Sequence, residues 1–198
     1  FGSSLSTQVV TSLHIKSTEL ADILIKHGAD VNYEDSWGNI PLFFANHYNL
    51  VIKYLELTKN PHHINKNNEN ALFYQVKNLR VMKFLLDYGL NPYLINKNGD
   101  NLVLHCIRYG SPDVLDYLLK TLKLEVNYTN PITKETVLFT VKHKKMLDVL
   151  VKHNLNLHLL NDKNQTVLFT THNKLSFVKT LIKYNLDINH QDNLGDTI

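Results

Sequence analysis

One hexapeptide, His27-Gly28-Ala29-Asp30-Val31-Asn32, constrains the whole chain, because altered copies of it return at a period of roughly 30 residues. The copies are Tyr88-Gly89-Leu90-Asn91-Pro92, Leu124-Glu125-Val126-Asn127, His153-Asn154-Leu155-Asn156-Leu157 and Tyr184-Asn185-Leu186-Asp187-Ile188-Asn189. A period of this length belongs to solenoids, in which each unit buries its apolar face only against its neighbours. Aligning the first leucine of each inner helix brings Leu13, Leu42, Leu72, Val103, Leu138 and Leu168 into register, at spacings of 29, 30, 31, 35 and 30.

Each unit carries local signals for its parts. Leu20, Ile23 and Leu24, then Val81, Phe84 and Leu85, and later Val178, Leu181 and Ile182 recur at helical spacing and predict one buried stripe per outer helix. Gly28 and Gly89 follow two of those stripes, where a left-handed residue ends a helix, and Asn154 and Asn185 take the same place because Asn tolerates that geometry next best. The turns Asn96-Lys97-Asn98-Gly99 and Asn161-Asp162-Lys163-Asn164 suit tight reversals whose side chains satisfy nearby backbone donors, and they predict projecting hairpin tips.

The unit openings are more specific. Thr11-Ser12-Leu13-His14, Gly38-Asn39-Ile40-Pro41-Leu42-Phe43-Phe44-Ala45, Thr136-Val137-Leu138-Phe139 and Thr166-Val167-Leu168-Phe169 resemble divergent forms of the Thr-Pro-Leu-His opening of ankyrin repeats. The resemblance implies an all-α fold, an α-solenoid of stacked helix-turn-helix repeats with short hairpin-like turns. It spans 1–198 as a single domain, with repeats at about 6–34, 35–64, 65–95, 96–130, 131–160 and 161–191 and a seventh beginning at 192–198. Gly195-Asp196-Thr197 opens that seventh unit and no initiator Met is present, so the chain reads as a fragment of a longer protein. Most units lack the family's Gly-His step between inner and outer helix; only Gly110-Ser111-Pro112-Asp113 keeps something like it. Units one, three, five and six are therefore expected to have compressed inner helices. Unit two replaces the helix-ending glycine with Lys59-Asn60-Pro61, and unit four extends through Thr121-Leu122-Lys123.

Composition narrows the function. The chain has 198 residues, 43% of them hydrophobic, which is ample for a core, yet it has no apolar run near the roughly 20 residues that span a membrane. Its N-terminal Phe1-Gly2-Ser3-Ser4 lacks the pattern of a secretory signal, and its single cysteine, Cys106, allows no internal disulfide. The expected setting is cytoplasmic or nuclear, possibly within a host cell. A balance of 21 basic to 18 acidic residues argues against general nucleic-acid binding. The eleven histidines form no metal-ligand pattern: His14, His27 and His153 have structural readings, and His62-His63 follow Pro61 without further ligands. No phosphate loop, His-Glu-x-x-His motif or nucleophile elbow occurs, and His105 and Cys106 diverge by about 100° on a helix. Neither catalytic residues nor a metal or other cofactor is expected.

The resemblance implies instead a concave binding face made of hairpin tips and inner helices. Carried over position by position, it points to Ser36, Trp37 and Asn39, Lys66, Asn67 and Glu69, and Lys97, Asn98 and Asp100. Beyond these come Ile132, Thr133 and Glu135, Asp162, Lys163 and Gln165, and Asn193 and Leu194, with His47, Tyr48, Lys77, Arg108 and Tyr109 from the inner helices. Trp37, the only tryptophan, has no packing need at a hairpin tip; it either binds a partner or folds back on a neighbouring turn. Lys66, Lys77, Lys97 and Arg108 outnumber Glu69 and Asp100, which favours an acidic partner. The resemblance also implies substrates of an asparaginyl hydroxylase at Asn32, Asn127 and Asn189, each preceded by an acidic residue and Val or Ile, with Leu24, Leu119 and Leu181 eight positions earlier. The expected function is non-catalytic protein binding by a monomer, as an adaptor or host-directed effector of the kind frequent in large DNA viruses and intracellular bacteria. The alternatives are a targeting domain of a larger enzyme and a nucleic-acid binder.

Overall fold

The structure, a computed structural model, describes residues 17–171 and 175–198. Leu13 and His14, and with them the opening of unit one, lie outside the described residues. Helix α1 (Thr18–Lys26) is the outer helix of unit one. Unit two pairs a 3-10 turn (Pro41–Phe44) with α2 (Tyr48–Leu57), unit three pairs α3 (Ala71–Tyr74) with α4 (Leu79–Asp87), and unit four pairs α5 (Leu102–Tyr109) with α6 (Pro112–Leu122). Unit five pairs α7 (Val137–Thr140) with α8 (Lys144–Lys152), and unit six pairs a 3-10 turn (Val167–Thr170) with α9 (Leu175–Ile182). Inner elements stack on inner and outer on outer along the array, giving an all-α solenoid. Among the described residues the only strand-like pairings are isolated bridges, Ile95 with Asn101 and Thr129 with Thr136, at the bases of two tips. No helix among them is long and apolar enough to cross a membrane.

The inner elements are as compressed as the missing Gly-His step implies. Units three, five and six have a single turn each, and so does unit two, where compression was not expected. Among the described residues only unit four keeps a full inner helix, and Gly110 makes this possible. A Cβ there would come within 2.7 Å of the Val76 carbonyl oxygen and 2.5 Å of Cys106 Sγ, whereas the bare backbone lets Ser111 N donate to Val76 O at 2.9 Å. Cys106 is buried in this junction, and burial pushes its thiol pKa up to about 12, so it packs as a small apolar group.

Helix ends follow local rules. Gly28, Gly89, Asn154 and Asn185 all adopt positive φ just past their helices, and Lys123 does the same after α6. Unit two, which lacks such a residue, is tied by Asn32 instead: its Oδ1 accepts from Thr58 Oγ1 at 3.1 Å and from Lys59 N at 2.7 Å. Asn127 likewise accepts from Asn156 N at 2.8 Å, while Asn189 is exposed. Of the three asparagines considered for hydroxylation, two thus already hold the next repeat in place.

The core is continuous from Ala21 to Leu186, with Leu42, Leu72, Val103, Leu138 and Leu168 all buried in their shared register. The outer-helix stripes are narrower than the sequence suggests. In α1, Leu20 and Ile23 are exposed and Ala21 is the buried residue, and in α9 Leu181 is buried while Ile182 is not. The buried face comes down to Ala21 in α1 and to Phe177, Thr180 and Leu181 in α9. Histidines act as tethers: His27 Nδ1 donates to Ile23 O at 2.7 Å, and His153 Nε2 lies 2.7 Å from Asp116 Oδ1.

Because each unit is held by its neighbours, Leu138→Ala, a cavity in unit five, should cost about 2–5 kcal/mol and open units five and six first. Hydrogen exchange in the variant should show protection lost there while units two and three keep theirs. A single transition with uniform loss of helix would contradict this.

Candidate functional site

Every tip begins with Asp or Asn, whose side chain builds the turn. Asp35 Oδ1 accepts from Trp37 N and Asn39 N, both at 2.8 Å, and Asn65 Oδ1 accepts from Asn67 N and Glu69 N, both at 2.9 Å. Asn96 repeats this with Asn98 N and Asp100 N at 3.0 Å, Asn161 with Lys163 N and Gln165 N, and Asp192 with Leu194 N and Asp196 N. Asn130 bonds Ile132 N and Thr133 N, because the tip of unit five carries one more residue.

The remaining side-chain atoms reach across units. Asn65 Nδ2 donates to Asn39 Oδ1 at 2.8 Å, Asn96 Nδ2 to Glu69 Oε1 at 2.8 Å, and Asn130 Nδ2 to Asp100 Oδ1 at 2.9 Å. Farther along, Gln165 Nε2 donates to Asp192 Oδ2 at 2.8 Å. A second set of tethers runs to the positive-φ residue of the preceding tip: His63 Nε2 donates to Gly38 O, Tyr128 OH to Gly99 O and His190 Nε2 to Asn164 O.

Asn39, Glu69 and Asp100 therefore do not point outward, as their place after the turn glycine implied; all three are buried members of this ladder. The residue four positions after the turn-opening Asx is drawn back under the tip by its own backbone bond to that side chain. Ser36, Trp37, Lys66, Lys97, Asn98 and Lys163 are exposed along the tips, with Asn67 half-buried among them. Ile132 and Leu194 are exposed as well.

Trp37 is 71% exposed and forms one wall of a groove of about 540 Å³, with Asn65, Glu69 and Tyr74 beneath and Ser36, Lys66, Asn67, Lys97 and Asn98 around it. The structure thus favours the open reading of this ring over a fold-back. A second depression, of about 290 Å³, lies between Glu69, Phe73, Tyr74, His105 and Tyr109, and a third, of about 180 Å³, between Ile107, Arg108, Tyr109, Thr140, Lys142 and His143. Glu69 and Tyr74 wall the first two and Tyr109 the last two, so one track runs from unit two to unit five.

The Tyr74 hydroxyl donates to Asn39 Oδ1 at 2.8 Å and accepts from Asn65 Nδ2, while its ring packs on Phe43 and Phe44. Burial, with Glu69 and Asp35 adding to it, pushes its pKa up to about 12. His105 stands edge-on to Phe73 and against Tyr109, with ring centroids 5.0 and 4.9 Å apart. Burial lowers its pKa, so the ring is neutral at pH 7. Tyr74, which is exposed, and His105, which is half-buried, were missed; each stands two positions after the register residue of its unit, while Phe73 belongs to the core.

Three further sequence expectations change. Arg108 is engaged, its Nε lying 3.1 Å from Asp100 Oδ2 and its Nη2 2.5 Å from Glu135 Oε2, so it clamps units four and five rather than adding charge to the face. His47 and Tyr48 do not belong to an inner helix: the inner turn of unit two ends at Phe44, and His47 is the N-cap of α2. Tyr48 packs against Phe84 and under Arg80, beside a separate hollow of about 450 Å³ at the starts of the outer helices. Lys77 is exposed in the link after α3, and Lys66 donates from Nζ to Ser36 O at 3.0 Å. No group of three His, Cys, Asp or Glu side chains among the described residues is placed to hold a metal ion.

Two glycines separate ladder from turn. Gly28 has φ +89° with open space around its α-carbon, whereas Gly99 has φ +81° and a Cβ there would lie 2.9 Å from Asn130 Cγ. Gly28→Ala should cost about 1–2 kcal/mol of backbone strain, and Gly99→Ala more, since it also displaces the fully buried Asn130. Urea unfolding midpoints measure both; equal losses would show that the ladder contributes nothing.

A family model for ankyrin repeats, in three copies, matches residues 45–130. The fold resembles the ankyrin repeat domain of Bcl-3, a member of the IkappaB protein family, at a TM-score of 0.68 and 16% identity over 98% of this chain and 90% of that one. It also resembles a chain in the complex of the Bd0816 predatory endopeptidase from Bdellovibrio bacteriovorus with immunity protein Bd3460, at a TM-score of 0.68 and 25% identity over 88% and 96%. No curated protein matches in sequence. Repeats of this kind are generally protein-protein interaction modules and typically non-catalytic. The matched copies, residues 45–130, are ankyrin repeats, and the described units on either side of them continue the same stacked fold.

Proposed function

We propose that the chain is a non-catalytic binding module that takes an extended segment of a partner protein along the track from Trp37 to Tyr109, in an adaptor or host-directed role. The observation that carries this reading is Trp37: its indole stands open at the wall of a formed groove while Asp35 fixes its backbone. Tryptophan and tyrosine beside preformed pockets are the residues that dominate interface energies. The ladder beneath holds the floor in place before binding, which lowers the ordering cost of association. The exposed ammonium groups of Lys97 and Lys163 along the tips favour acidic residues at the edges of the bound segment. One structural relative comes from a complex of an endopeptidase with an immunity protein, which accords with a binding role for this fold.

The test is an affinity capture from host-type cytosolic extract, comparing the parent with Trp37→Ala/Tyr109→Ala. Arg108 stays intact, because its clamp to Asp100 and Glu135 makes it structural. Both substituted rings are exposed, so the thermal midpoint should hold while a captured partner is weakened by about 2 kcal/mol or more. A partner retained equally by both proteins would place the binding surface elsewhere.

A further inference from the structure

We propose that the depression bounded by Glu69, Phe73, Tyr74, His105 and Tyr109 receives one arginine side chain of the bound segment. The proposal deepens the binding reading above and rests on it. The lining is four aromatic or imidazole rings and one carboxylate, with no Lys or Arg among them. Glu69 is held by three neutral amides, Asn67 and Asn96 on Oε1 at 2.8 Å and Asn65 on Oε2 at 3.3 Å. Its position is therefore fixed by donors that carry no compensating charge.

The surroundings add negative potential. At His105 the carboxylates of Glu69 and Asp100 act more strongly than the guanidinium of Arg108, and at Tyr74 the charged neighbours are Glu69 and Asp35. His105 bonds the Phe73 backbone, and its Nδ1 is buried without a hydrogen-bond partner. The Glu69 carboxylate and the ring faces both favour a cation. A planar guanidinium can lay its face on a ring while its edge N–H groups still donate, whereas an ammonium has no face to stack. An acidic side chain would be repelled by Glu69, and an apolar one would cover that carboxylate without compensating for its lost water. A depression of about 290 Å³ suits one side chain rather than a larger ligand. The rim lysines of the neighbouring groove complete the pattern, a basic anchor with acidic residues beside it.

The test is an NMR titration of the whole chain with the blocked tripeptide glycyl-arginyl-glycine and with its lysyl, norleucyl and glutamyl counterparts. The arginyl peptide should shift the ring signals of Tyr74, His105 and Tyr109 saturably, and the norleucyl and glutamyl peptides should bind about ten-fold more weakly or not at all. Tyr109→Ala and the bulk-preserving Tyr109→Leu should both weaken the arginyl peptide several-fold with the fold intact, since that ring is 56% exposed. Equal binding of the norleucyl peptide, or shifts confined to other residues, would overturn the proposal, and a lysyl peptide binding as tightly would overturn the assignment to a guanidinium. A depression that ignores arginine, in a protein that still loses its partner on Trp37→Ala, sinks this inference alone.

Discussion

The buried hydrogen-bond ladder through Asn39, Asn65, Glu69, Asn96, Asp100 and Asn130 is the constraint on which the rest of the structure depends. Each member serves twice. A turn-opening Asx closes its own tip with one side-chain atom and reaches another unit with the other, so local turn geometry and repeat-to-repeat register are set by the same residue. Polar groups this deep are costly unless satisfied, and orphaning one costs about 1–3 kcal/mol. A one-unit slip or a rotated tip would orphan several at once. The single-turn inner elements bury Leu42, Phe43, Leu72, Val137 and Leu138 against their neighbours, and the ladder adds the directional register that apolar packing alone does not fix.

The ladder also decides the character of the face above it. Its carboxylates Glu69 and Asp35 act on the Tyr74 hydroxyl, so the floor of the track is negative there although its rim carries lysines. Where unit five inserts a residue, the pattern changes. Glu135 is exposed and pairs with Arg108, which in turn holds Asp100, so a salt bridge joins the Asn130–Asp100 amide bond in linking units four and five. The third depression of the track lies beside this clamp.

Much of this was legible in the chain. The register of Leu42, Leu72, Val103, Leu138 and Leu168 and the left-handed residues at Gly28, Gly89, Asn154 and Asn185 follow from spacing and residue type, and the single-turn inner elements of units three, five and six from the family step that they lack. The local half of the ladder was legible too, since Asn at a turn satisfies nearby backbone donors. Its other half was not. Asn39, Glu69 and Asp100 look like surface residues because polarity at a hairpin tip predicts exposure, and nothing in one unit reveals the amide that the next unit will bring. Counting charges failed for the same reason: Arg108 is neutralised by Asp100 and by Glu135, 27 residues farther on. His47 and Tyr48 were misplaced because Gly38–Ala45 matches the family opening well enough to imply a full inner helix that the chain does not form.

The measurement that tests the ladder most directly is amide hydrogen exchange at Asn67, Glu69, Asn98 and Asp100, whose N–H groups donate to the side chains of Asn65 and Asn96. In the parent protein these tip amides should be protected like those of the core helices. In Asn96→Ala, protection should fall at Asn98 and Asp100 and also at Glu69, across the unit boundary. Tip amides that exchange at loop rates in the parent, or a loss confined to the tip of unit four, would contradict the account.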